Sequence, residues 1–222
     1  MNPVLEPMLR DGLGNMALQL SDAQIEQLLA FLDLLQKWNK VYNLTSVRDP
    51  QEMMTHHVLD SLAAVTPLQR LLDSKALLAP KLLDVGSGGG LPTVVFAICL
   101  PQLDVSCVDT VGKKVAFIQQ VAAGLRLRNL RGIQSRVEQL SQQYDVVSCR
   151  AFAALQDVTA WSAQTLKADG IWLAMKAKVP HDELALLPAS VQVVQIEPLV
   201  VPALDAERCI VWTQHTAPTA AA

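Results

Sequence analysis

A glycine-rich stretch directly after a short apolar run is the part of this chain that most clearly indicates ligand binding. The stretch Asp84–Gly90 reads DVGSGGG, and Lys81–Val85 before it has the composition of a β-strand. Glycines at such a turn let the backbone bend sharply and let a ligand approach without a Cβ in the way. The spacing does not fit the dinucleotide fingerprint GxGxxG, because Leu91 stands where its last glycine would be, counted from Gly86.

The spacing that this stretch does fit is D-x-G-x-G-x-G, with an acid two residues before the first glycine. It resembles the S-adenosylmethionine loop of class I methyltransferases, in which the glycines pass under the methionine part of the cofactor. A second acid, Asp109, ends the next predicted strand, where a carboxylate can accept hydrogen bonds from both ribose hydroxyls. We therefore expect S-adenosylmethionine as the cofactor, bound by Asp84, Gly86, Gly88, Gly90 and Asp109.

The residues after the fourth predicted strand bear on the methyl acceptor. Methylation of an exocyclic amine usually uses an N/D-P-P-Y/F/W motif there, whereas Ser148–Ala153 reads SCRAFA without proline. Methylation at C5 of a pyrimidine needs an attacking thiol, usually in a Pro-Cys pair, and Cys149 follows Ser148 instead. An acceptor that is already nucleophilic fits better, because it needs positioning more than deprotonation.

The elements that must position these residues change in character near residue 76. Before it the chain indicates helices: Ser21 and Gln24 form a capping box, and Asp49 with Pro50 suits an N-cap and a first helical position. The helix that begins at Pro50 is expected to stop before Pro67.

From Lys81 onwards short β-rich runs alternate with helical stretches. The predicted strands are Lys81–Val85, Asp104–Asp109, Gly132–Ser135, Tyr144–Ser148, Ile171–Lys176, Val191–Pro198 and Arg208–Thr213. The predicted helices between them begin near Pro92 and cover Gly112–Leu125 and Leu155–Leu166, with a turn at Lys167–Gly170.

This order predicts an α/β fold with a doubly wound, mostly parallel seven-stranded sheet and helices on both faces. Little room is left for a helix between the last two strands, so we expect one of them to be antiparallel. We expect a helical N-terminal extension over residues 1–75, a class I methyltransferase domain over 76–215 and a disordered tail over 216–222.

Composition excludes several classes of protein. Hydrophobic residues make up 51% of the chain and charged residues 18%, so a sizeable core can form and global disorder is excluded. None of the cysteines is in a CxxC pair, which favours a reducing compartment over a disulfide framework. The cysteines are Cys99, Cys107, Cys149 and Cys209.

Nothing in the sequence indicates a membrane or a metal. Met1–Arg10 has no apolar stretch of the kind that a signal peptide needs, and Leu91–Leu100 is too short to span a bilayer. The adjacent His56 and His57 have no third ligand at a suitable spacing. We therefore expect a cytoplasmic protein without a membrane partner and without a bound metal.

The charge distribution leaves a nucleic-acid partner open. The formal net charge of −3 argues against one, but the distribution of charge matters more than its sum. Between Lys113 and Arg150 there are seven basic residues and only two acidic ones. The basic residues are Lys113, Lys114, Arg126, Arg128, Arg131, Arg136 and Arg150. This local excess could form a basic face, and an ordinary solvated surface would explain it as well.

Six short motifs occur in a fixed order along most of the chain. They are Trp38–Ser46 (WNKVYNLTS), His57–Ser61, Asp84–Pro92, Arg136–Glu138, Ser148–Ala153 and Pro202–Arg208. Together they resemble the small-subunit ribosomal RNA guanine-N7 methyltransferases, the GidB or RsmG family, over about residues 20 to 213. The resemblance implies methyl transfer from S-adenosylmethionine to N7 of a guanine at position 527 of 16S ribosomal RNA. The implied partner is 16S rRNA or the small ribosomal subunit.

The same resemblance assigns roles to individual residues. It implies that the cofactor pocket is lined by Gly86, Leu91, Val137, Glu138 and Arg150, with Thr110 beside Asp109 at the ribose. It also implies a positive rim for RNA phosphates, formed by Arg136, Arg150, Lys176 and Arg208. Of these, Arg150 and Lys176 are expected to be catalytic.

Two residues depart from the family pattern. Gly89 stands where the family often has proline, which gives a looser loop, and Thr93 stands where it often has glycine. The β-branched Thr93 could crowd the ligand, or its hydroxyl could cap a backbone group. These departures bear on cofactor affinity rather than on cofactor identity.

Two alternatives to an rRNA methyltransferase stay open. The chain could be a small-molecule methyltransferase, which an absence of salt-dependent RNA binding would favour. It could also be a ribosome-associated module that binds the cofactor without catalysis, which tight cofactor binding without turnover on subunits would favour. In each case we expect a monomer.

Overall fold

A computed structural model describes residues 4–216, in which seven strands form one sheet. The strands are β1 (Lys81–Val85), β2 (Asp104–Asp109), β3 (Leu130–Gln134), β4 (Tyr144–Arg150), β5 (Leu166–Lys176), β6 (Val191–Pro198) and β7 (Cys209–His215). Their order across the sheet is β3-β2-β1-β4-β5-β7-β6. Strands β1 to β5 are parallel, and β7 runs antiparallel between β5 and β6. The predicted α/β class and mostly parallel sheet are confirmed, and the expected antiparallel strand is β7.

Helices precede the sheet and cover both of its faces. The first group is α1 (Leu5–Asn15), α2 (Asp22–Tyr42), α3 (Pro50–Met53), α4 (Asp60–Leu62) and α5 (Val65–Ser74), with a π-helical segment, Met54–Leu59, between α3 and α4. The second group is α6 (Thr93–Cys99), α7 (Gly112–Gly124), α8 (Leu155–Ser162) and α9 (His181–Ala185). Short 3-10 turns occur at Val137–Gln139 and Ala163–Thr165.

Both predicted helix starts are confirmed. The Ser21 hydroxyl accepts from the Gln24 backbone N–H, and the Gln24 side chain accepts from the Ser21 N–H. Asp49 accepts from two backbone N–H groups of the first turn of α3. These contacts satisfy N–H groups that have no partner inside the helix.

The core lies on both faces of the sheet because successive strand residues point to opposite sides. In β1, Leu82 packs in a cluster with α1, α2, α5, α6 and α7, whereas Leu83 packs with α8 on the other face. The helices before residue 75 therefore share one continuous core with one face of the sheet. Over residues 4–216, no helix has the length and the apolar character that a membrane span requires.

Several predicted boundaries are wrong in the second half of the chain. The turn predicted at Lys167–Gly170 lies inside β5, where Tyr144 pairs with Leu166 and Val146 with Ile171. The intervening residues form a bulge, which a strand can contain without ending, and Lys167 is bonded to Asp145 on β4 at 2.7 Å. The helix expected to reach Leu166 ends at Ser162, and β3 begins at Leu130 rather than Gly132.

The first half of the chain also differs from expectation. The helix that begins at Pro50 is interrupted by the π-helical segment, and α5 includes Pro67 in its first turn, where a missing N–H is tolerated. Of the tail predicted over 216–222, Thr216 donates its N–H to the Ser190 carbonyl at 2.9 Å. The remaining tail residues, 217–222, lie outside the described part of the chain.

Candidate active site

The glycine-rich loop connects β1 to α6 at the carboxyl edge of the sheet. Gly86, Gly88 and Gly90 have φ angles of +73°, +54° and +82°, a region that favours glycine. The Gly86 N–H donates to the Val108 carbonyl at 3.0 Å, which fixes the start of the loop on β2. A Cβ added to Gly86 would stand 2.6 Å from two ring atoms of Phe152 and closer still to a third. Only glycine therefore fits at this position.

A large cavity of about 660 Å³ opens at this edge. Its walls come from the loop after α2, the π-helical segment with the start of α4, the glycine loop, and the ends of β4, β5 and the segment before β7. Six residues that the sequence predicted for the site line it: Gly86, Gly88, Leu91, Arg150, Lys176 and Arg208. Because Lys176 pairs with Cys209 across the sheet, Arg208 is held beside the end of β5.

A small cavity of about 180 Å³ lies at the ends of β1 and β2. Five predicted residues line it: Asp109, Thr110, Arg136, Val137 and Glu138. Val85 and Val108 add apolar surface, and Phe152 and Trp161 close one side. Arg136 is thus separate from the other three predicted cations, and its guanidinium pairs with Glu138 at 3.2 Å. That contact, after a hydrogen bond from the backbone N–H of Glu138, lowers the pKa of the Glu138 carboxyl.

The side chain of Phe152 separates the two cavities. Its ring lies against Gly86, which lines the large cavity, while Phe152 itself lines the small one. It is 42% exposed, and its ring meets that of Trp161 edge-on with centroids 6.1 Å apart. The preceding residue, Ala151, has a φ of +50°. A ligand that extends from one cavity to the other must therefore pass the position of this ring.

The Asp109 carboxylate lines the small cavity and is anchored from its own loop. One oxygen accepts from the Val111 N–H at 2.9 Å, and the other pairs with Lys114 at 3.2 Å. Lys114 in turn lines the large cavity. The carboxylate is therefore fixed in direction at the end of β2, where a ribose would meet it.

Asp84 and Gly90 line neither cavity and lie behind the loop. Asp84 is fully buried and accepts from the Ser148 hydroxyl at 2.6 Å and from the Thr93 hydroxyl. Burial raises the pKa of Asp84 to about 7, although both hydroxyl bonds act in the opposite direction. A Cβ on Gly90 would stand 2.8 Å from Val94 and from Ile118.

Thr93 is fully buried, so its side chain does not reach the ligand side of the loop. Its hydroxyl bonds to the Asp84 carboxyl rather than to a backbone group. The glycine loop is therefore supported from below by a network of three side chains, Asp84, Thr93 and Ser148.

Arg150 and Arg208 meet at one buried carboxylate, that of Asp60. Arg150 donates to one Asp60 oxygen at 2.8 Å, and Arg208 Nε donates to the other at 2.7 Å. Arg150 also donates to the His56 carbonyl at 3.1 Å. The Asp60 side chain is 4% exposed, while those of Arg150 and Arg208 are 18% and 20% exposed. The two predicted cations are thus brought together by a residue from the helices that precede the sheet.

Lys176 is engaged at the loop after β4. Its ammonium donates to the Ala153 carbonyl at 3.2 Å and to Glu183 of α9 at 2.8 Å. The same Glu183 oxygen accepts from the Leu155 N–H at 2.6 Å. Lys176 and Glu183 together therefore fix the far end of the loop that contains Phe152.

His57 is an uncharged member of the cavity wall. Burial, and next the positive charge of Arg150, lowers the pKa of His57 to about 4. Its Nε2 lies 2.7 Å from the Thr45 hydroxyl. Neutral His57 therefore adds no positive charge to the Arg150 side of the cavity at pH 7.

The site offers neither a reactive thiol nor a metal cluster. Cys149 is 2% exposed, and burial raises the pKa of its thiol to about 12, so it is protonated at neutral pH. Cys99, Cys107 and Cys209 are free and buried as well. Among residues 4–216, no group of three or more His, Cys, Asp or Glu side chains is arranged to hold a metal ion.

Sequence reasoning missed four residues that shape the site: His57, Asp60, Phe152 and Glu183. A signal was available for Asp60, because it is a single acid within the otherwise mostly apolar helical stretch Met53–Leu62. Phe152 lies two residues after the end of β4. Glu183 gave no signal, since its partners come from a strand and a loop that are distant along the chain.

The fold resembles solved methyltransferases. A SAM-dependent methyltransferase from Aquifex aeolicus is similar with a TM-score of 0.55 at 14% identity, over 82% of this chain and 98% of that one. The ribosomal protein L11 methylase from Lactobacillus delbrueckii subsp. bulgaricus gives a TM-score of 0.51 at 17% identity, over 69% and 79%. Strand order, glycine loop and strand-end acid together define a class I S-adenosylmethionine-dependent methyltransferase.

Similarity in sequence identifies the family within this class. The chain belongs to the GidB family, rRNA small subunit methyltransferase G, whose family model matches residues 24–211. A "Ribosomal RNA small subunit methyltransferase G" from Acidovorax sp. (strain JS42) is 64% identical over 97% of this chain and 98% of its own length. One from Paracidovorax citrulli (strain AAC00-1) is 62% identical over 94% and 89%. The resemblance seen in the motifs is confirmed.

The residues present fit the cofactor of this class. The absence of a Cβ at Gly86 lets another group come close to the backbone, as the Phe152 ring does here and as the thioether part of S-adenosylmethionine would require. Asp109 offers a fixed carboxylate for ribose hydroxyls, and Val85, Val108 and Val137 offer apolar walls for an adenine ring. The end of β2 lines the small cavity and the end of β5 lines the large one, so a cofactor that occupied both would lie along this edge of the sheet.

Proposed function

We propose that this enzyme transfers a methyl group to N7 of guanine 527 in 16S ribosomal RNA, with the small ribosomal subunit as its partner. The observation that supports this most is the wall of the large cavity, where Arg150, Lys176 and Arg208 meet while the nearby thiol of Cys149 is buried. A cationic cavity suits a polyanion, since phosphate contacts supply much of the affinity for nucleic acid. The names of the relatives agree with this acceptor.

Cofactor binding is assigned to residues from both cavities. In the small cavity Asp109 and Thr110 would hold the ribose, and Val137 and Glu138 would border the adenine. In the large cavity Gly86, Gly88 and Leu91 would border the methionine part, close to Arg150. Asp84 and Gly90 would act indirectly, by supporting the loop. When bound, S-adenosylmethionine supplies an electrophilic methyl group on a sulfonium.

The chain's own residues bind and orient the acceptor rather than deprotonate it. Guanine N7 has an in-plane lone pair and no proton, so attack needs no general base. In agreement, the Asp60 carboxylate is occupied by two guanidinium groups, and the neutral His57 is bonded to Thr45. Arg150 and Arg208 would position the base or its phosphates, and Arg136 would contact RNA beside the small cavity. Positioning of this kind can supply a large part of a rate enhancement.

Lys176 has a more limited role in this proposal than the sequence suggested. Its side chain is 14% exposed, and its ammonium is shared between Ala153 and Glu183. We infer that it contributes charge to the cavity while it holds the loop after β4. Arg150 is then the stronger candidate for direct contact with the reacting groups.

Transfer of tritiated methyl groups to ribosomal particles that lack the mark tests the proposal. We expect incorporation into the small subunit, followed by strand cleavage at one guanine after mild reduction and aniline treatment, because an N7-methylated guanine has a weak glycosidic bond. Particles that already have the mark are the control and should take up no label. Label in a pyrimidine would overturn the N7 assignment, and the absence of label in any RNA would favour a small-molecule acceptor or an inactive module.

Two further expectations accompany this function. An enzyme that modifies ribosomal RNA would act in the cytoplasm, where small subunits are found. We also expect it to act as a monomer, and sedimentation of the purified chain alone and with AdoHcy would test this.

A further inference from the structure

We propose that Asp60 is a positioning residue for the RNA acceptor, because it holds the guanidinium groups of Arg150 and Arg208 in one fixed arrangement at the large cavity. The inference rests on the proposed function, since it assumes that these arginines meet the RNA. Because Asp60 belongs to the helical extension, the inference gives this extension a part in acceptor recognition.

The first support is the geometry of the carboxylate. Each oxygen of Asp60 accepts from one arginine, at 2.8 Å from Arg150 and 2.7 Å from Arg208 Nε. The three residues come from three separate segments: the start of α4, the end of β4 and the residue before β7. A carboxylate that accepts charge-assisted bonds from two sides restricts both partners in direction as well as in distance.

The second support is what remains free on the two guanidinium groups. Arg150 uses Nη1 for both Asp60 and the His56 carbonyl, and Arg208 uses Nε for Asp60 and Nη1 for the Glu207 carbonyl. Within residues 4–216, no acceptor bonds to Nη2 of either arginine, and both side chains line the large cavity. Each guanidinium group is thus fixed through other nitrogens and keeps Nη2 available, which suits a phosphate or the acceptor edge of a guanine.

The third support is the charge balance. Two arginines and one carboxylate leave a single net positive charge, and His57 beside them is neutral at pH 7. The Asp60 side chain is only 4% exposed, so its charge is compensated by the two arginines rather than by water. Removal of its charge would leave two guanidinium groups close together without an anion, and they would reorient.

The test compares Asp60→Asn with a matched buried carboxylate outside the site. Asp145 is suitable, because it accepts from the Lys81 N–H and pairs with Lys167, its side chain is 6% exposed, and it lies at the start of β4, away from the cavities. The measurements are kcat and KM for unmethylated small subunits, AdoHcy affinity by calorimetry, and the thermal midpoint.

Asp60→Asn should raise the KM for subunits about tenfold or more, with a smaller change in kcat and in AdoHcy affinity. Asp145→Asn should lower the thermal midpoint at least as much while its KM stays within about twofold. An unchanged KM in folded Asp60→Asn would overturn the proposal. So would an equal rise in KM for both variants, because the effect would then follow stability alone.

Arg208→Lys provides a second route that does not depend on Asp60→Asn being folded. Lysine keeps the charge but cannot be held by Asp60 through a side-on Nε–H, so its KM should approach that of Arg208→Met. A wild-type KM for Arg208→Lys would show that charge alone suffices, which contradicts the proposal. In an Arg208→Met background, Asp60→Asn should raise KM by a smaller factor than in the wild type, since only the contact with Arg150 is left to lose.

The outcomes separate this inference from the proposed function. If the wild-type enzyme puts no methyl group into small-subunit RNA, the proposed function fails before Asp60 is tested. If the wild type methylates subunits and Asp60→Asn keeps the wild-type KM, only the role of Asp60 fails.

Discussion

The ring of Phe152 rests on Gly86, and this contact closes the passage between the two cavities. A Cβ on Gly86 would stand 2.6 Å from ring atoms of Phe152. Asp109 lies on one side of the ring and Gly88 on the other. We therefore expect a cofactor that meets both residues to displace the ring, so that cofactor binding includes the movement of one aromatic side chain.

Phe152→Ala should therefore bind AdoHcy more tightly and faster. If the cofactor binds only when the ring has moved aside, the closed position of the ring reduces the apparent affinity of the wild type for AdoHcy. We therefore expect a gain in AdoHcy affinity of about threefold to tenfold in the variant. Calorimetry and stopped-flow tryptophan fluorescence measure it, since Trp161 lines the small cavity. Leu78→Ala, at a 99% exposed residue before β1, is the control. Weaker binding by Phe152→Ala would mean that the ring contacts the cofactor instead of obstructing it.

Gly86→Ala should lose cofactor affinity and stability for two separable reasons. Its φ of +73° strains any side chain by about 1 kcal/mol, and its Cβ must displace the Phe152 ring. The double variant with Phe152→Ala has no ring to displace, so it should recover the steric part of the loss in thermal midpoint. The part of the loss that comes from backbone strain at Gly86 should remain. Full recovery would show that the backbone at Gly86 is not strained, and no recovery would show that the ring contact is unimportant.

Binding to small subunits should weaken with salt. Each phosphate contact adds about −0.7 to −0.9 to the slope of log affinity against log salt. Arg208→Ala should remove one phosphate contact and so make that slope shallower by about 0.7 to 0.9. Arg126→Ala should leave the slope unchanged. Arg126 is exposed and follows α7 at the opposite edge of the sheet, which makes it the matched control. A flat salt response in the wild type would favour a small-molecule acceptor.

Cys149→Ser should keep most of its activity. The thiol is buried and its pKa is raised to about 12, so no thiolate is available for attack on a pyrimidine. We expect a loss in kcat below about tenfold, or ~1.4 kcal/mol of barrier. Single-turnover methylation measures it, with AdoHcy affinity as the control. An inactive variant with intact AdoHcy affinity would point to a covalent pyrimidine mechanism.

Stability should depend on pH through His57. Its pKa falls from 6.5 to about 4 on folding, so between these values the unfolded chain takes up a proton that the native protein excludes. The resulting stabilisation is complete above pH 6.5 and is lost as pH falls to about 4, by up to ~3 kcal/mol.

Urea unfolding of the wild type and His57→Gln across this range measures the effect as a difference. Asp84 has the opposite sign: its pKa is raised to about 7, so its contribution is present at low pH and lost as pH rises through that value. Both proteins contain Asp84, and its contribution cancels in the comparison. If the difference in the free energy of unfolding between the wild type and His57→Gln does not change with pH, a neutral His57 in the native protein is contradicted.

Local patterns in the sequence were sufficient for the glycine loop, the acid that ends β2 and the mostly parallel seven-stranded sheet. These depend on neighbours in the chain, such as the turn that Gly86 permits or the carboxylate that ends β2. The network of Asp60 with Arg150 and Arg208 could not be predicted, because its geometry exists only after three distant segments meet. The bulge at Lys167–Gly170 was mistaken for a turn, because its polar residues suit either one.

The placement of Asp60, His57 and Thr45 in the cavity wall has a consequence for how this chain can be recombined. All three come from the segment before β1, whereas the glycine loop, Arg150 and Arg208 come from β1 onwards. A chimera that joined the extension of one relative to the sheet of another would have to preserve the carboxylate and both arginines across the junction. The two parts of the chain are therefore not interchangeable modules, and substitutions on one side restrict what the other side can accept.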